Sequence, residues 1–205
     1  MVFVVSEVLA PTGVNILRAA AAIAEGRLVG MPTETVYGLA ASAIDASAVA
    51  RIYAAKRRPS FNPLIAHVPA SMGDLDALVE AGLVRADGFD PLAVQAVDML
   101  IRDFWPGPLS IVLPVGPALP DLTCAGLDTV ALRSPDHPVA QALLEAVSVP
   151  LAAPSANRSG RISPTRAEHV MAELGDHVDC VLDGGTCEVG LESTVVQLSC
   201  EGGLT

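Results

Sequence analysis

Short apolar runs alternate along the chain with amphipathic stretches. The apolar runs are bounded by Gly, Pro or polar residues and predict strands at residues 28–31, 64–68, 109–115, 129–133, 150–153, 180–182 and 194–198. The amphipathic stretches predict helices between Thr12 and Gly26 and at residues 45–56, 74–80, 91–104, 137–147 and 166–174. This alternation predicts an α/β fold in which helices flank a twisted, mixed and largely buried sheet.

Composition indicates one domain over residues 1–205. The chain has 205 residues and is 51% hydrophobic with 3% aromatic residues, so we expect an aliphatic core that buries roughly 70% of the surface of the unfolded chain.

The longest apolar runs fall far short of the ~20 residues that cross a bilayer, so no membrane partner is expected. Residues 1–5 carry no basic segment typical of a secretory signal. Cys124, Cys180, Cys187 and Cys200 show no CxxC or zinc spacing, so we expect a cytoplasmic protein with free thiols.

The formal net charge of −11 argues against a protein that binds the nucleic-acid backbone, because neutralising phosphates needs a broad cationic surface. Within this scarcity of cations, Lys56 is the only lysine, and residues 56–58 are Lys-Arg-Arg running into a Pro-rich turn at residues 59–63. Three adjacent cations at such a turn could form a phosphate-sized anion site. The alternative is a solvated helix end, where the helix dipole favours positive charge.

Polar clusters lie near the ends of predicted strands, at residues 33–35, 155–157 and 190–194. Ligands of open α/β sheets usually bind at strand ends, so these clusters are candidate binding loops. Ser155 and Asn157 could wrap an anion through hydroxyl, amide and backbone N–H groups. They could equally be ordinary turn-forming residues. The sequence has no GxxxxGK[ST] or GxGxxG motif, so a nucleotide would be held in another way.

Five segments in order resemble the YrdC-like family, the L-threonylcarbamoyladenylate synthases. They are PTETVYGL at residues 32–39, KRR with NPL at 56–64, WPGP at 105–108, APSAN at 153–157 and GLEST at 190–194. The resemblance implies a twisted α/β sheet around a concave cavity. It also implies that L-threonine, bicarbonate and ATP are converted to threonylcarbamoyl-AMP and pyrophosphate. This product would pass to the tRNA threonylcarbamoyl transferase machinery, which makes threonylcarbamoyladenosine.

The resemblance places the L-threonine site on Thr35, His67, Arg133, Ala153 and Ser193. Arg133 can hold the substrate carboxylate as a bidentate fork, and the alternative for it is an ion pair with Asp136. His67 interrupts an apolar run, and its alternative role is that of a core histidine whose ring nitrogens are satisfied within the protein.

By the same resemblance the ATP site falls on Arg58, Asn62, Thr129, Ser155, Asn157 and Ser163, with Lys56 and Arg58 as catalytic residues that neutralise phosphate charge. Mg²⁺ would accompany ATP. Glu34 and Glu192 could touch the metal, or could be capping or loop carboxylates, so no metal ligand is assigned.

The chain departs from the family pattern at its end: similar proteins continue after the final strand into a Leu-Arg-Pro-Gly segment, whereas this sequence stops at residues 202–205. We therefore expect a single YrdC-like catalytic domain that lacks a C-terminal extension or second domain. Two other functions are considered. One is a non-catalytic RNA-binding module of the same fold, with weak RNA binding because of the acidic charge. The other is a carbamoyl-adenylate enzyme acting on another substrate, against which the complete threonine pocket argues.

Overall fold

The computed structural model describes residues 6–198. Expectations about residues 1–5, Cys200 and residues 202–205 lie outside that range. Within it the strands are β1 Glu7–Leu9, β2 Val29–Met31, β3 Gly38–Ser42, β4 Ile65–His67, β5 Leu109–Pro114, β6 Thr129–Arg133, β7 Leu151–Ala152, β8 Cys180–Leu182 and β9 Thr194–Gln197. The helices are α1 Gly13–Ala24, α2 Ala46–Lys56, α3 Leu75–Glu80, α4 Pro91–Phe104, α5 Pro138–Val147 and α6 Ala167–Leu174.

Helix starts follow the capping residues visible in the sequence. Thr12 caps α1 by accepting from the Asn15 N–H at 3.3 Å. Asp45, rather than the alternative Ser47, caps α2, accepting from the Ser47 N–H at 2.8 Å. The carboxylates of Asp74 and Asp90 cap α3 and α4 in the same way. Each cap satisfies a backbone donor that has no partner inside its helix, which fixes where the helix begins.

The strands form a nine-stranded sheet of order β1-β8-β2-β3-β7-β4-β6-β5-β9 within the described range. Pairs β1–β8, β2–β8, β4–β6 and β5–β9 are parallel, and pairs β2–β3, β3–β7, β4–β7 and β5–β6 are antiparallel. The predicted mixed α/β sheet is therefore confirmed. All predicted strands and helices are present, whereas β1 and β3 were not predicted.

Both faces of the sheet are covered by helices. On one face, Ile23 of α1 and Leu143 of α5 pack on Val29 and Leu151 of the sheet. The other face carries the larger cluster, to which α2, α3, α4 and α6 contribute. Within the sheet, Gly30 of β2 lies beside Val181 of β8, and a Cβ at Gly30 would lie 2.8 Å from a side-chain carbon of that valine. Burial of strands on both faces explains their continuous apolar runs.

Among the described residues, no helix is long and apolar enough to cross a membrane. Cys124, Cys180 and Cys187 are free and buried, and burial raises the pKa of each thiol to about 11. These three cysteines are therefore protonated near neutral pH and have no evident role as nucleophiles.

Candidate functional site

Two neighbouring parallel strands, β4 and β6, end at the same edge of the sheet, and each ends in a polar residue. His67 closes β4, Arg133 closes β6, and the two residues are paired in register. A cavity of about 30 Å³ at these ends is lined by Thr33, Thr35, Val36, Gly38, Ile65, His67, Arg133, Ala153, Pro154, Ser155, Glu192 and Ser193. The structure thus brings together all the residues predicted to bind L-threonine: Thr35, His67, Arg133, Ala153 and Ser193.

The Thr33 hydroxyl organises the turn after β2. It donates to the Val36 carbonyl at 2.7 Å and accepts from the backbone N–H groups of Thr35 and Val36, both at 3.2 Å. It also lies 2.9 Å from the Thr35 hydroxyl. Either hydroxyl can be the donor in this last contact. The contact holds the Thr35 hydroxyl at the wall of the cavity.

His67 is held neutral inside the sheet. Burial lowers its pKa to about 3, and the positive charge of Arg133 acts in the same direction. The Nδ1 atom is buried and has no hydrogen-bond partner among residues 6–198. The backbone of Ile65 and Leu151 acts on the ring in the opposite direction, as hydrogen-bonding groups that raise the pKa. His67 also lines the 30 Å³ cavity, so its role in binding L-threonine stays a prediction beside that of a core histidine.

Arg133 is buried, and its ion-pair partner is Glu34 rather than Asp136, the alternative that the sequence suggested. Its Nη2 donates to Glu34 Oε1 at 2.6 Å, and its Nε donates to the Gly107 carbonyl at 3.1 Å. The expectation of an ion pair with Asp136 is wrong, because Glu34 approaches from the turn after β2 and takes that place. Glu34 Oε2 is buried and finds no hydrogen-bond partner in the described part of the chain.

Two further residues complete the cavity wall. Ser193 lies just before β9 and shares a hydrogen bond between its Oγ and Ser110 Oγ at 2.8 Å. Ala153 follows β7, and its N–H donates to the Ile65 carbonyl at 3.0 Å. Ala153 is therefore held by β4 and contributes a methyl group to the wall, beside the apolar residues Val36, Ile65 and Pro154.

A second, open cleft of about 450 Å³ adjoins this cavity. It is lined by Lys56, Arg58, Pro59, Phe61, Asn62, Ser155, Asn157, Ser159, Gly160, Arg161, Ser163 and Glu192. Ser155 and Glu192 line both the cavity and the cleft. Every residue predicted for ATP lies here except Thr129, which begins β6 at the end opposite Arg133. A role for Thr129 stays a prediction.

Lys56 reaches the cleft from the end of α2 and is almost completely buried. Its ammonium donates to the carbonyl oxygens of Ser155 and Asn157, the latter at 2.5 Å. Burial lowers its pKa to about 8, Arg58 adds to this effect, and Glu192 opposes it. Two of its three ammonium protons are thus used by the 155–157 loop, which leaves one for a ligand.

The three adjacent cations do not converge. Arg57 adopts a left-handed conformation with φ of 50° at the C-cap of α2, and its side chain is exposed and outside the cleft lining. The interpretation as a solvated helix end fits Arg57 but is wrong for Lys56, which is 1% exposed. The predicted anion site therefore narrows to Lys56 and Arg58.

The remaining cleft residues are held by local hydrogen bonds. Arg58 donates from Nη2 to Asn62 Oδ1 at 2.7 Å and to the Pro63 carbonyl at 2.8 Å. Ser163 donates to Glu192 Oε1 at 2.5 Å. Asn157 donates from Nδ2 to the Arg161 carbonyl at 2.7 Å, while its buried Oδ1 has no partner within residues 6–198. The cleft therefore offers cationic donors and oxygen acceptors side by side.

The model of the Sua5/YciO/YrdC family, described as "Telomere recombination", matches residues 21–204. The chain belongs to this family. The threonylcarbamoyl-AMP synthase of Pyrococcus abyssi is 46% identical over 181 residues, which make up 88% of this chain and 50% of that protein. The threonylcarbamoyl-AMP synthase of Bacillus subtilis is 45% identical over 197 residues, 96% of this chain and 53% of that protein. The chain thus spans about half the length of these curated relatives.

Solved members of the Sua5/YciO/YrdC family have the same architecture. The crystal structure of P. abyssi Sua5 complexed with L-threonine superposes with a TM-score of 0.83 and 45% identity, covering 91% of this chain and 52% of that chain. Escherichia coli YciO superposes with a TM-score of 0.75 at 23% identity, covering 94% of this chain and 89% of that chain. The second likeness shows the fold alone, and both agree with the YrdC-like sheet predicted from the sequence.

Sequence reasoning missed several residues that shape the site in this Sua5/YciO/YrdC family member. Glu34 and Glu192 were considered only as metal contacts or loop carboxylates, and Thr33 and Gly107 appeared only within motifs. A usable signal existed for Glu34, since a carboxylate between two threonines after an apolar strand needs a buried partner. No local pattern identifies Arg133 as that partner, because the two residues are separated by 99 positions.

Proposed function

We propose that the chain is the catalytic domain of an L-threonylcarbamoyladenylate synthase, forming threonylcarbamoyl-AMP and pyrophosphate from L-threonine, bicarbonate and ATP. One observation carries the proposal. The small cavity that contains Arg133 and the cationic cleft share Ser155 and Glu192, so an amino acid in one and a triphosphate in the other would meet at a common wall. The P. abyssi and B. subtilis relatives, which align with most of this chain, are both named threonylcarbamoyl-AMP synthase, and this supports the same reaction.

In the proposed reaction, Arg133 binds the threonine carboxylate, and the amine takes up a carboxylate from bicarbonate with loss of water. A carbamate oxygen then attacks the α-phosphorus, the bond to the bridging oxygen breaks, and pyrophosphate leaves. Lys56 and Arg58 stabilise the charge that moves towards the leaving group. No protein nucleophile is required, so the enzyme acts by positioning and electrostatics.

The cleft fits a magnesium ion that arrives with ATP. Mg²⁺ on nucleotides is usually held by one or two protein oxygens together with phosphates and water. Glu192 keeps one carboxylate oxygen beyond its contact with Ser163, and Asn157 Oδ1 is an acceptor without a partner among the described residues. These two residues would hold the ion, which would neutralise phosphate charge when bound.

The product would be used to make threonylcarbamoyladenosine in tRNA, by a tRNA threonylcarbamoyl transferase as the downstream partner. We place this reaction in the cytoplasm, where amino acids, ATP and tRNA occur together.

The test is pyrophosphate release with L-threonine, bicarbonate, ATP and magnesium, leaving out each component in turn. Release that needs every substrate, with threonylcarbamoyl-AMP in freshly quenched samples, is the expected result. Arg133→Ala should lose the threonine-dependent release of pyrophosphate while still binding ATP. If neither threonine nor ATP binds the wild-type domain, the proposal is wrong.

A further inference from the structure

The guanidinium of Arg133 is clamped on one side by two acceptors from separate parts of the chain. Its Nε donates to the Gly107 carbonyl at 3.1 Å, and its Nη2 donates to Glu34 Oε1 at 2.6 Å. The side chains of Arg133 and Glu34 are 4% and 9% exposed. A guanidinium has five N–H donors, so the two Nη1 protons and one Nη2 proton stay available.

The Gly107 acceptor is fixed by the turn between α4 and β5. The Gly107 N–H donates to the Ser134 carbonyl at 2.8 Å, so the turn is tied to the residue after Arg133. The indole of Trp105 donates to the Leu109 carbonyl at 2.7 Å and closes the turn from within. A Cβ at position 107 would lie 2.3 Å from the Phe104 carbonyl oxygen, so no other residue fits without moving the turn.

The Glu34 acceptor is fixed by its own backbone. Its carbonyl accepts from the Val189 N–H at 2.9 Å, and the next carbonyl, of Thr35, accepts from the Gly190 N–H at 3.0 Å. Glu34 does not line the 30 Å³ cavity, whereas Arg133 does. Glu34 therefore makes no direct contact with a ligand in that cavity, and its hydrogen bond reaches the ligand through Arg133.

We propose that Glu34 is a positioning residue that, together with the Gly107 carbonyl, turns the Nη1–Nη2 end of Arg133 towards the carboxylate of the amino-acid substrate. This inference rests on the proposed function, in which that substrate is L-threonine. The proposal also assigns a role to the WPGP segment at residues 105–108, because its Gly107 carbonyl accepts the hydrogen bond from Arg133 Nε. A side-on approach of the carboxylate to Nε and Nη2 is blocked by the two protein acceptors.

Binding of L-threonine to Glu34→Gln and Glu34→Ala tests the proposal. Both variants lose the negative charge, but only glutamine keeps an acceptor for Nη2, so their difference isolates positioning from charge. Loss of one hydrogen bond to a charged group predicts about tenfold weaker threonine binding in Glu34→Ala than in Glu34→Gln. ATP binding, measured in parallel, should be equal in the two variants. Glu188→Ala, which removes an exposed carboxylate near the same turn, should match wild type for both ligands.

Equal threonine affinities in the two Glu34 variants would overturn the inference, provided that wild type binds threonine. A wild-type domain that binds no threonine would instead overturn the proposed function. If Glu34→Ala does not fold, the wild-type protein with ¹⁵N-labelled arginine gives the answer by NMR. The Arg133 signals are assigned by their loss in Arg133→Lys. Threonine should shift the Arg133 Nη signals and leave its Nε–H unchanged, whereas a dominant shift at Nε–H would refute the proposed orientation.

Discussion

The ammonium of Lys56 donates to the backbone carbonyl of Asn157 at 2.5 Å, linking the last residue of α2 to the loop after β7. A second bond from the same ammonium to Ser155 makes this link bidentate. The lysine therefore shapes the wall of the cleft as well as its charge. In the proposed function Lys56 would contribute both to stability and to the binding of phosphate, and the two contributions can be separated by experiment.

Lys56 is expected to titrate near pH 8, far below an exposed lysine, because burial and Arg58 both oppose its charge. Since it is the only lysine in the chain, ¹⁵N-lysine labelling yields one side-chain signal that needs no assignment. We expect kcat/KM for ATP to fall as pH rises through about 8, the pKa of Lys56, because the cation is then lost. A signal that titrates near 10.5, the ordinary lysine pKa, would contradict this prediction.

Removing the Lys56 ammonium should also destabilise the fold. Lys56→Met keeps much of the volume but leaves the carbonyls of Ser155 and Asn157 without their donor. Unsatisfied buried groups cost about 1–3 kcal/mol each, and relief of the buried charge offsets part of this cost, so we expect a net loss of about 1–2 kcal/mol in the free energy of unfolding. Arg57→Gln removes a neighbouring but exposed cation and should change that free energy by less than about 0.5 kcal/mol. Urea denaturation at pH 7 measures both, and equal stabilities would show that the two hydrogen bonds are not important.

Element boundaries could be predicted where the local chemistry is strong. The structure gives α4 as Pro91–Phe104, as predicted, because Asp90 caps it, Pro91 suits its first turn, and Trp105-Pro106 ends it. Strand β3 was missed, since four of the five residues of Gly38–Ser42 are small and the segment has no alternation of polar and apolar positions. Its strand character comes from pairing with β2 and β7, which a local pattern does not reveal.

The candidate site was predictable in part. The family resemblance identified Thr35, His67, Arg133, Ala153 and Ser193, all of which line the cavity. It did not reveal the contacts between segments, such as Arg133 with Glu34 or Ser110 with Ser193. Such contacts depend on which strands become neighbours, and strand order is a property of the whole sheet. The sequence therefore gives the residue types of a site more readily than their orientation.

His67 should make stability fall at acid pH. Its pKa is about 3 in the fold and 6.5 in a model peptide, so between these values the unfolded chain binds the extra proton and the folded state is disfavoured. The full contribution is present above pH 6.5 and is lost as the pH falls towards 3. A full proton difference changes the free energy of unfolding by about 1.4 kcal/mol per pH unit. Between pH 6.5 and 5, wild type should lose about 1–2 kcal/mol more than His67→Gln. Parallel pH profiles for the two proteins would refute a neutral His67.

The Thr33 hydroxyl should control both stability and the threonine pocket. Thr33→Val leaves two backbone N–H groups and the Val36 carbonyl without this partner, so we expect a loss of about 2–3 kcal/mol in the free energy of unfolding. It also removes the hydroxyl contact that holds the Thr35 side chain at the wall of the cavity. Threonine binding should therefore weaken more than ATP binding. Thr33→Ser keeps the hydroxyl and should restore both properties, as measured by denaturation and calorimetry. If Thr33→Ser is as impaired as Thr33→Val, the methyl group rather than the hydroxyl organises the turn.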